Sequence, residues 1–452
     1  MPSYFSSAAA IVSALLFSFL LIIDPPLAES SEQITKWEQW TCDELTPNLC
    51  ELQVEAGYVT INSIPVHYWR YTKSKSDDKY YGSSSKSFDG NSTIAHSIIA
   101  IHGGPAWPHS YLLPLKQLAC RGDTAEVIFY DQGGCGLSIP PHARNDTKLS
   151  IIDDFPHLLD PKYYSEVELP ALIQHWELES YHILGHSWGS ILAQLFVLNY
   201  VNKHFNLRQQ QVSEGLQSLI LSGPISDAKA YINAQWDPND TDNLASLPPF
   251  VQQRIHALEE AQEYDSEEYQ AIDSVLTTFF TLRTAPSPDC LDASANGINE
   301  DIYVGMQGAS EFTISGVLGT LNLTQRLSEI KIPVLLTHGK FDTMRPSTVI
   351  AMQGQIKRSE RVMLPHSGHV SMIDDAELMN DVVANFVHRV ESGDEIGGNE
   401  GEGIEATPAP AAKAKVNGNI PWNWIQIIVA FLAGIIVENA NNNKRKSQYR
   451  RV

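Results

Sequence analysis

Tyr181-His-Ile-Leu-Gly-His-Ser-Trp-Gly-Ser190 decides how this chain is read. Tyr181 to Leu184 is a short apolar run with the character of a strand. Gly185-His-Ser-Trp-Gly189 is a turn, and Ser190 to Leu198 carries the apolar periodicity of a helix. The pattern is G-x-S-x-G between a strand and a helix, the context in which that motif carries chemistry. A turn this sharp strains the backbone and lifts the Ser187 hydroxyl clear of the sheet. Small residues at Gly185 and Gly189 let the strand and the helix pass close together. The helix N-terminus behind Ser187 offers free N–H groups and a partial positive charge, which suit a developing oxyanion.

A serine nucleophile needs a base within hydrogen-bond reach and an acid to orient that base. On such a sheet they follow the serine in the order acid, then histidine, on loops after late strands. Asp342 follows the strand-like run Val334-Leu-Leu-Thr-His-Gly-Lys-Phe, and His369 follows Arg361-Val-Met-Leu within Pro365-His-Ser-Gly-His-Val370. The neighbours His338 and His366 are read as structural or loop histidines. Asp374 and Asp375 are read as first-turn carboxylates serving a helix dipole. The Trp188 N–H is the first expected oxyanion donor. The second is the N–H of Gly103 or Gly104, in a Gly-Gly-Pro turn without Cβ crowding.

The surrounding chain alternates in the same way. Gly57 to Tyr71 reads as a β-hairpin about Asn62-Ser63. Ser97–Ile101, Glu126–Tyr130, Leu216–Leu221, Pro333–Thr337 and Arg361–Leu364 read as buried strands. Strands alternating with helices predict a mostly parallel α/β sheet flanked by helices. The alternation breaks near Ile225 and resumes near Pro333, so 226–327 is expected to be an inserted helical cap over the strand ends. The core then comprises 29–225 and 328–390.

Fifty-three acidic against 31 basic residues give a net charge of -22. Nucleic acid is excluded as a partner, because phosphate binding needs a basic face; a cationic substrate group fits better. Five cysteines are present, and Cys42 with Cys50 could close a local disulfide in an oxidising compartment. Cys135, in a Gly-rich turn, reads as a small buried residue. No metal-ligand spacing, dinucleotide fingerprint or phosphate loop occurs, so neither metal nor cofactor is expected.

The ends read differently. Residues 1–28 contain an apolar run, Ser6 to Ile23, that resembles a signal peptide or leader. Asn91, Asn145, Asn239 and Asn322 stand in N-x-[ST] sequons and are glycosylation candidates. Residues 391–419 form an acidic Gly/Glu/Ala/Pro-rich stretch expected to be a disordered linker. The apolar 420–440 is expected to span a membrane, with the basic tail 441–452 inside. Together these predict a secretory-route, single-pass membrane protein with its catalytic domain lumenal or extracellular.

With its motifs assembled, the chain resembles the proline iminopeptidase family of α/β-hydrolase serine peptidases. His102-Gly-Gly-Pro105, Asp131-Gln-Gly-Gly-Cys-Gly-Leu-Ser138 and Gly185-His-Ser-Trp-Gly-Ser190 resemble three of its blocks. His338-Gly-Lys-Phe-Asp342 and Ser367-Gly-His369 resemble its acid and base loops, and Ser310-Glu-Phe-Thr-Ile-Ser-Gly316 its cap motif. The resemblance runs from about residue 50 to 390. It implies release of an N-terminal residue, often proline, from small peptides or amino-acid amides. It also implies that Glu311 binds the substrate's free α-ammonium, with a second cap acid that cannot be chosen among Glu259, Glu260, Glu267 and Glu268. Gly133 stands where the family usually has Arg, and Gly308-Ala-Ser310 replaces Gly-Pro-Asn. Both departures bear on the proline preference. The alternatives are an amidase or esterase acting on substrates without a free amine, and a non-catalytic binding ectodomain.

Overall fold

The computed structural model describes residues 42–74, 96–122, 124–144, 150–204, 210–240, 242–397 and 404–405. Among them, nine strands make one sheet in the order β1-β2-β4-β3-β5-β6-β7-β8-β9. The strands β1 (Leu52–Ile61) and β2 (Ile64–Lys73) form the expected hairpin. Its two turn residues, Asn62 and Ser63, both have positive φ, as the tight hairpin turn matching strand twist requires. β2 also pairs antiparallel with β4 (Thr124–Tyr130). From β4 onward the pairing is parallel, through β3 (His96–Ile101), β5 (Tyr181–His186), β6 (Leu216–Ser222), β7 (Val334–Gly339) and β8 (Ser359–Leu364).

The central strands are apolar on both faces because both faces are covered. Ile99, Ile101, Ile183, Leu219, Leu221 and Leu336 join one buried cluster. Ile98, Ala100, Leu184, Ile220 and Leu335 join the other. Helix α1 (Trp188–Leu195) follows β5 directly. Between β6 and β7 lie α2 (Ala228–Gln235), α3 (Pro249–Glu260), α4 (Glu267–Leu276), α5 (Asp289–Asn296) and α6 (Glu300–Met306). Part of this insertion has its own core, with Leu258 and Ile255 of α3 against Tyr269, Ile272 and Leu276 of α4. Helix α7 (Pro346–Gln353) follows β7, and α8 (Ala376–Glu391) lays Met379, Val383, Phe386 and Val387 on the second face.

Three expectations are corrected. Cys42 pairs with Cys290 of the insertion and Cys50 with Cys120, rather than with each other; Cys135 is the free, buried thiol. The stretch after 390 is not wholly a linker. Ile396 is buried in the second cluster, and Ile404–Glu405 adds β9, parallel to Val362–Met363. The single-pass secretory assignment does not stand: no helix among the described residues is long and apolar enough to cross a membrane. A span needs about 20 consecutive apolar residues, whereas α8 is apolar on one face only. The leader 1–28, the tail from 420 onward, Asn91 and Asn145 lie outside the described residues, while Asn239 and Asn322 are exposed.

Non-reducing peptide mapping should recover Cys42–Cys290 and Cys50–Cys120. Cys290→Ala should lower stability by roughly 3–5 kcal/mol, as expected when a native cross-link closing a long loop is lost. A urea midpoint unchanged from wild type would count against the pairing.

Candidate active site

Ser187 sits between β5 and α1 with φ 55° and ψ -122°, a conformation that strains a non-glycine residue. The strain is enforced from both sides. A Cβ on Gly185 would lie 2.3 Å from the Gly189 carbonyl oxygen, and one on Gly189 would lie 2.3 Å from the Ile101 carbonyl oxygen. The two glycines are therefore requirements of close passage, as the motif predicts.

The loops after β7 and β8 meet the elbow. His369 Nδ1 lies 2.9 Å from Asp342 Oδ1, which also accepts from the Met344 N–H at 2.9 Å. Asp342 is fully buried. Burial alone would raise its pKa, but the charge and hydrogen bond of His369 hold it below the ordinary carboxylate value. For His369, burial works against protonation and is outweighed by the Asp342 charge and hydrogen bond and by Glu311, so its pKa is raised. Gly223 makes room for the pair. Its φ is 53°, and a Cβ there would sit 2.7 Å from His369 Cε1. His369 Nε2 has no hydrogen-bond partner among the described residues.

A second set of contacts ties the loops together. His186 Nε2 lies 3.0 Å from the His369 carbonyl oxygen, and His186 Nδ1 lies 2.8 Å from the Tyr111 hydroxyl, to which the Gly103 N–H donates at 2.7 Å. A carbonyl can only accept, so His186 donates from Nε2 and its Nδ1 takes the Tyr111 proton. Burial keeps His186 neutral, with its pKa pushed down to about 3. The Gln132 N–H donates to His102 Nε2 at 2.9 Å, and Gln132 Oε1 accepts from the Trp188 indole at 2.8 Å. Of the two glycine N–H groups read from sequence as a donor, that of Gly103 is engaged by the Tyr111 hydroxyl. Arg345 donates to the Asp342 carbonyl at 3.0 Å and forms a two-pronged pair with Asp240 of the insertion at 2.7 and 2.9 Å.

Glu311 reaches the same space from the cap. Its carboxylate lies 4.0 Å from His369 Nε2 with the side chain 24% exposed, and the Tyr303 hydroxyl donates to it at 3.2 Å. Burial is the main cause of its raised pKa, opposed by His369, and Asp273 raises it further. Asp273 thus adds a negative charge felt at Glu311, and its own pKa is raised by burial. The acids weighed from sequence point elsewhere. Glu259 accepts from Tyr269, Glu268 pairs with Arg254, and Glu260 and Glu267 are exposed. A signal for Asp273 existed: it lies on the face of α4 that carries Tyr269, Ile272 and Leu276.

The rival residues have other work. Asp374 accepts from the Gly368, Arg283 and Thr284 N–H groups, and Asp375 from the His366 N–H and the Ser367 hydroxyl. They shape the base loop rather than serve a helix dipole. His338 is buried against the Gly339 carbonyl, and His366 is exposed. Gly133 donates to the buried Glu168, whose carboxyl occupies the space a side chain at 133 would need. Burial pushes Glu168 up to about 8.

Residues 97–376 match the alpha/beta hydrolase fold family, so the fold and the elbow define the class. Within it, the chain is 34% identical over 294 residues to a proline iminopeptidase of Heyndrickxia coagulans, covering 65% of this chain and 91% of that one. It is 30% identical over 298 residues to one from Clostridium botulinum, covering 65% and 89%. A crystal structure of proline iminopeptidase from Mycobacterium smegmatis superposes with a TM-score of 0.60 at 23% identity, over 75% of this chain and 99% of that one. The chain belongs to the proline iminopeptidase family of α/β-hydrolases.

Gly223→Ala should displace His369 from Asp342. The downfield proton resonance of the His369 Nδ1–H to Asp342 hydrogen bond should then disappear, with a stability loss of roughly 1–3 kcal/mol from the strained backbone. A resonance retained at its wild-type position would refute the packing described.

Proposed function

We propose that the protein is a serine aminopeptidase that removes one N-terminal residue, proline or another small apolar residue, from short peptides or amino-acid amides. Ser187 attacks the scissile carbonyl, and His369 takes its proton through Nε2. Asp342 holds the ring by Nδ1 and stabilises the imidazolium that forms. The tetrahedral oxyanion is received by the N–H groups of Trp188 and Gly104. His369 returns the proton to the leaving amine. The acyl-enzyme is then hydrolysed by water, activated by the same base.

The observation that carries this reading is the Glu311 carboxylate, 4.0 Å from His369 Nε2 beneath the cap. A carboxylate so near the base leaves space for a single residue between the reacting carbonyl and a cationic amine. The site presents this acid to the α-ammonium, including the secondary ammonium of an N-terminal proline, and the Asp273 charge adds to the negative field there. Blocking the amine removes the charge and leaves the partly buried Glu311 carboxylate without its cation, which is how such a site rejects acylated substrates. The relatives' name supports proline as the residue released.

Prolyl, alanyl and leucyl arylamides should be cleaved and their N-acetyl forms should not, with all turnover lost in Ser187→Ala. Glu311→Gln should lower kcat/KM by about 10²–10³, the effect of breaking a buried charge pair. Equal cleavage of acetylated substrates would move the assignment to a general amidase. Because the base must be neutral to act, kcat/KM should rise with pH through an inflection above the ordinary imidazole value of 6.5. Asp342→Asn should shift that inflection down and reduce kcat by about 10⁴-fold, as loss of the orienting acid does.

A further inference from the structure

We propose that His96, His182 and Glu391 form a divalent metal site, suited to Zn²⁺, at the N-terminal end of the sheet. The triad lies at the opposite ends of the strands. His96 opens β3 and His182 is the second residue of the neighbouring parallel strand β5, paired with Ile98. Glu391 is the last residue of α8. The three ligand atoms lie within 4.8 Å of one another. Far apart in the chain, these residues show no ligand spacing in sequence.

Each imidazole is held for the task. His96 Nδ1 lies 2.8 Å from Ser180 Oγ, and His182 Nδ1 lies 2.7 Å from Ser218 Oγ. Both Nε2 atoms therefore face the carboxylate. Without metal, Nε2–H faces the carboxylate; with metal bound, each hydroxyl accepts from Nδ1–H and Nε2 gives its lone pair to the ion. His182 is fully buried, and its Nε2 lies 2.8 Å from Glu391 Oε1. Neither atom has a hydrogen-bond partner, so the close pair is not an aligned hydrogen bond. A buried nitrogen and a carboxylate oxygen thus stand in contact as an ion pair whose geometry is not that of an aligned hydrogen bond. The local field favours a cation, because the ligands sum to one negative charge at the C-terminal end of α8, where the helix carbonyls add partial negative charge.

Two imidazoles and one carboxylate suit four-coordinate zinc with water as the fourth ligand. Zinc bonds of about 2.0–2.2 Å set tetrahedral ligands about 3.3 Å apart. His96 Nε2 lies 2.5 Å and His182 Nε2 lies 2.8 Å from Glu391, so the carboxylate swings back by about half an ångström on metal binding. Glu391, on the terminal turn of its helix, has a side chain able to make that movement. The site staples the end of α8 to two core strands. Its role is structural, and no step of peptide hydrolysis passes through it.

The test is titration of the full chain, stripped with EDTA, by Co²⁺ followed through its visible d–d bands and by Zn²⁺ followed calorimetrically. One equivalent should bind with the band intensity of a four-coordinate site. His182→Gln and Glu391→Gln should each weaken binding by about tenfold or more, and His369→Ala should leave the titration unchanged. Where either variant fails to fold by circular dichroism, His96→Gln at the strand's first residue replaces it. No cobalt bands would overturn the site and leave a histidine–carboxylate clasp. Binding unaffected by the cluster variants, or lost in His369→Ala, would place the metal elsewhere and overturn it equally.

Discussion

Helix α1 runs so close beneath the end of β3 that nothing larger than hydrogen fits at Gly189 against the Ile101 carbonyl. The rest of the site depends on this contact. It fixes where α1 begins, and therefore where the Trp188 amide points. It forces Ser187 into its positive-φ turn, which sets the direction of the hydroxyl. It brings the Gly103-Gly104 loop over the serine, since that loop leaves the same strand. Lateral displacement of the helix would misplace the Ser187 hydroxyl and the Trp188 amide together, which accounts for glycine on both sides of the elbow.

Electrostatics then sort the histidines. His102, His186 and His338 are buried without a dominant carboxylate, and desolvation holds each of them neutral. They serve as fixed donors and acceptors that join one loop to the next. His369 is equally buried, but Asp342 and Glu311 face it, and its affinity for a proton rises. One residue type thus supplies both neutral framework groups and a ring whose protonation is favoured, and neighbouring charge makes the difference. The excess of acid in the composition acquires a local meaning here, because one of those acids, Glu311, stands 4.0 Å from His369 Nε2 beneath the cap.

What was legible in the sequence is what is encoded locally. Ser187, Asp342 and His369 each follow an apolar strand on a short loop, so their strands announce them, and the hairpin declares itself by alternation about Asn62-Ser63. Contacts made across the fold were not legible. The pairing of Cys42 with Cys290 joins residues with a sequence separation of 248; proximity along the chain favoured Cys50 instead. The engagement of the Gly103 N–H by Tyr111, the room made by Gly223 and the two-sided grip of Arg345 all depend on loops that meet only when the sheet closes. Apolar character at the chain's end pointed to a membrane; among the described residues no helix is long and apolar enough to cross one.

The bond between Cys42 and Cys290 has a mechanical consequence for the insertion. A cap joined to its core by two chain crossings can swing as one body about the line through them. Here α5 is fastened at a third point, by that bond and by the Ser294 hydroxyl against Tyr111 N–H and Ser110. A third point of attachment opposes such a swing. It also ties the insertion to the segment carrying Tyr111, whose hydroxyl meets the Gly103 amide, so the seating of the cap and the shape of the loop over Ser187 share one anchor.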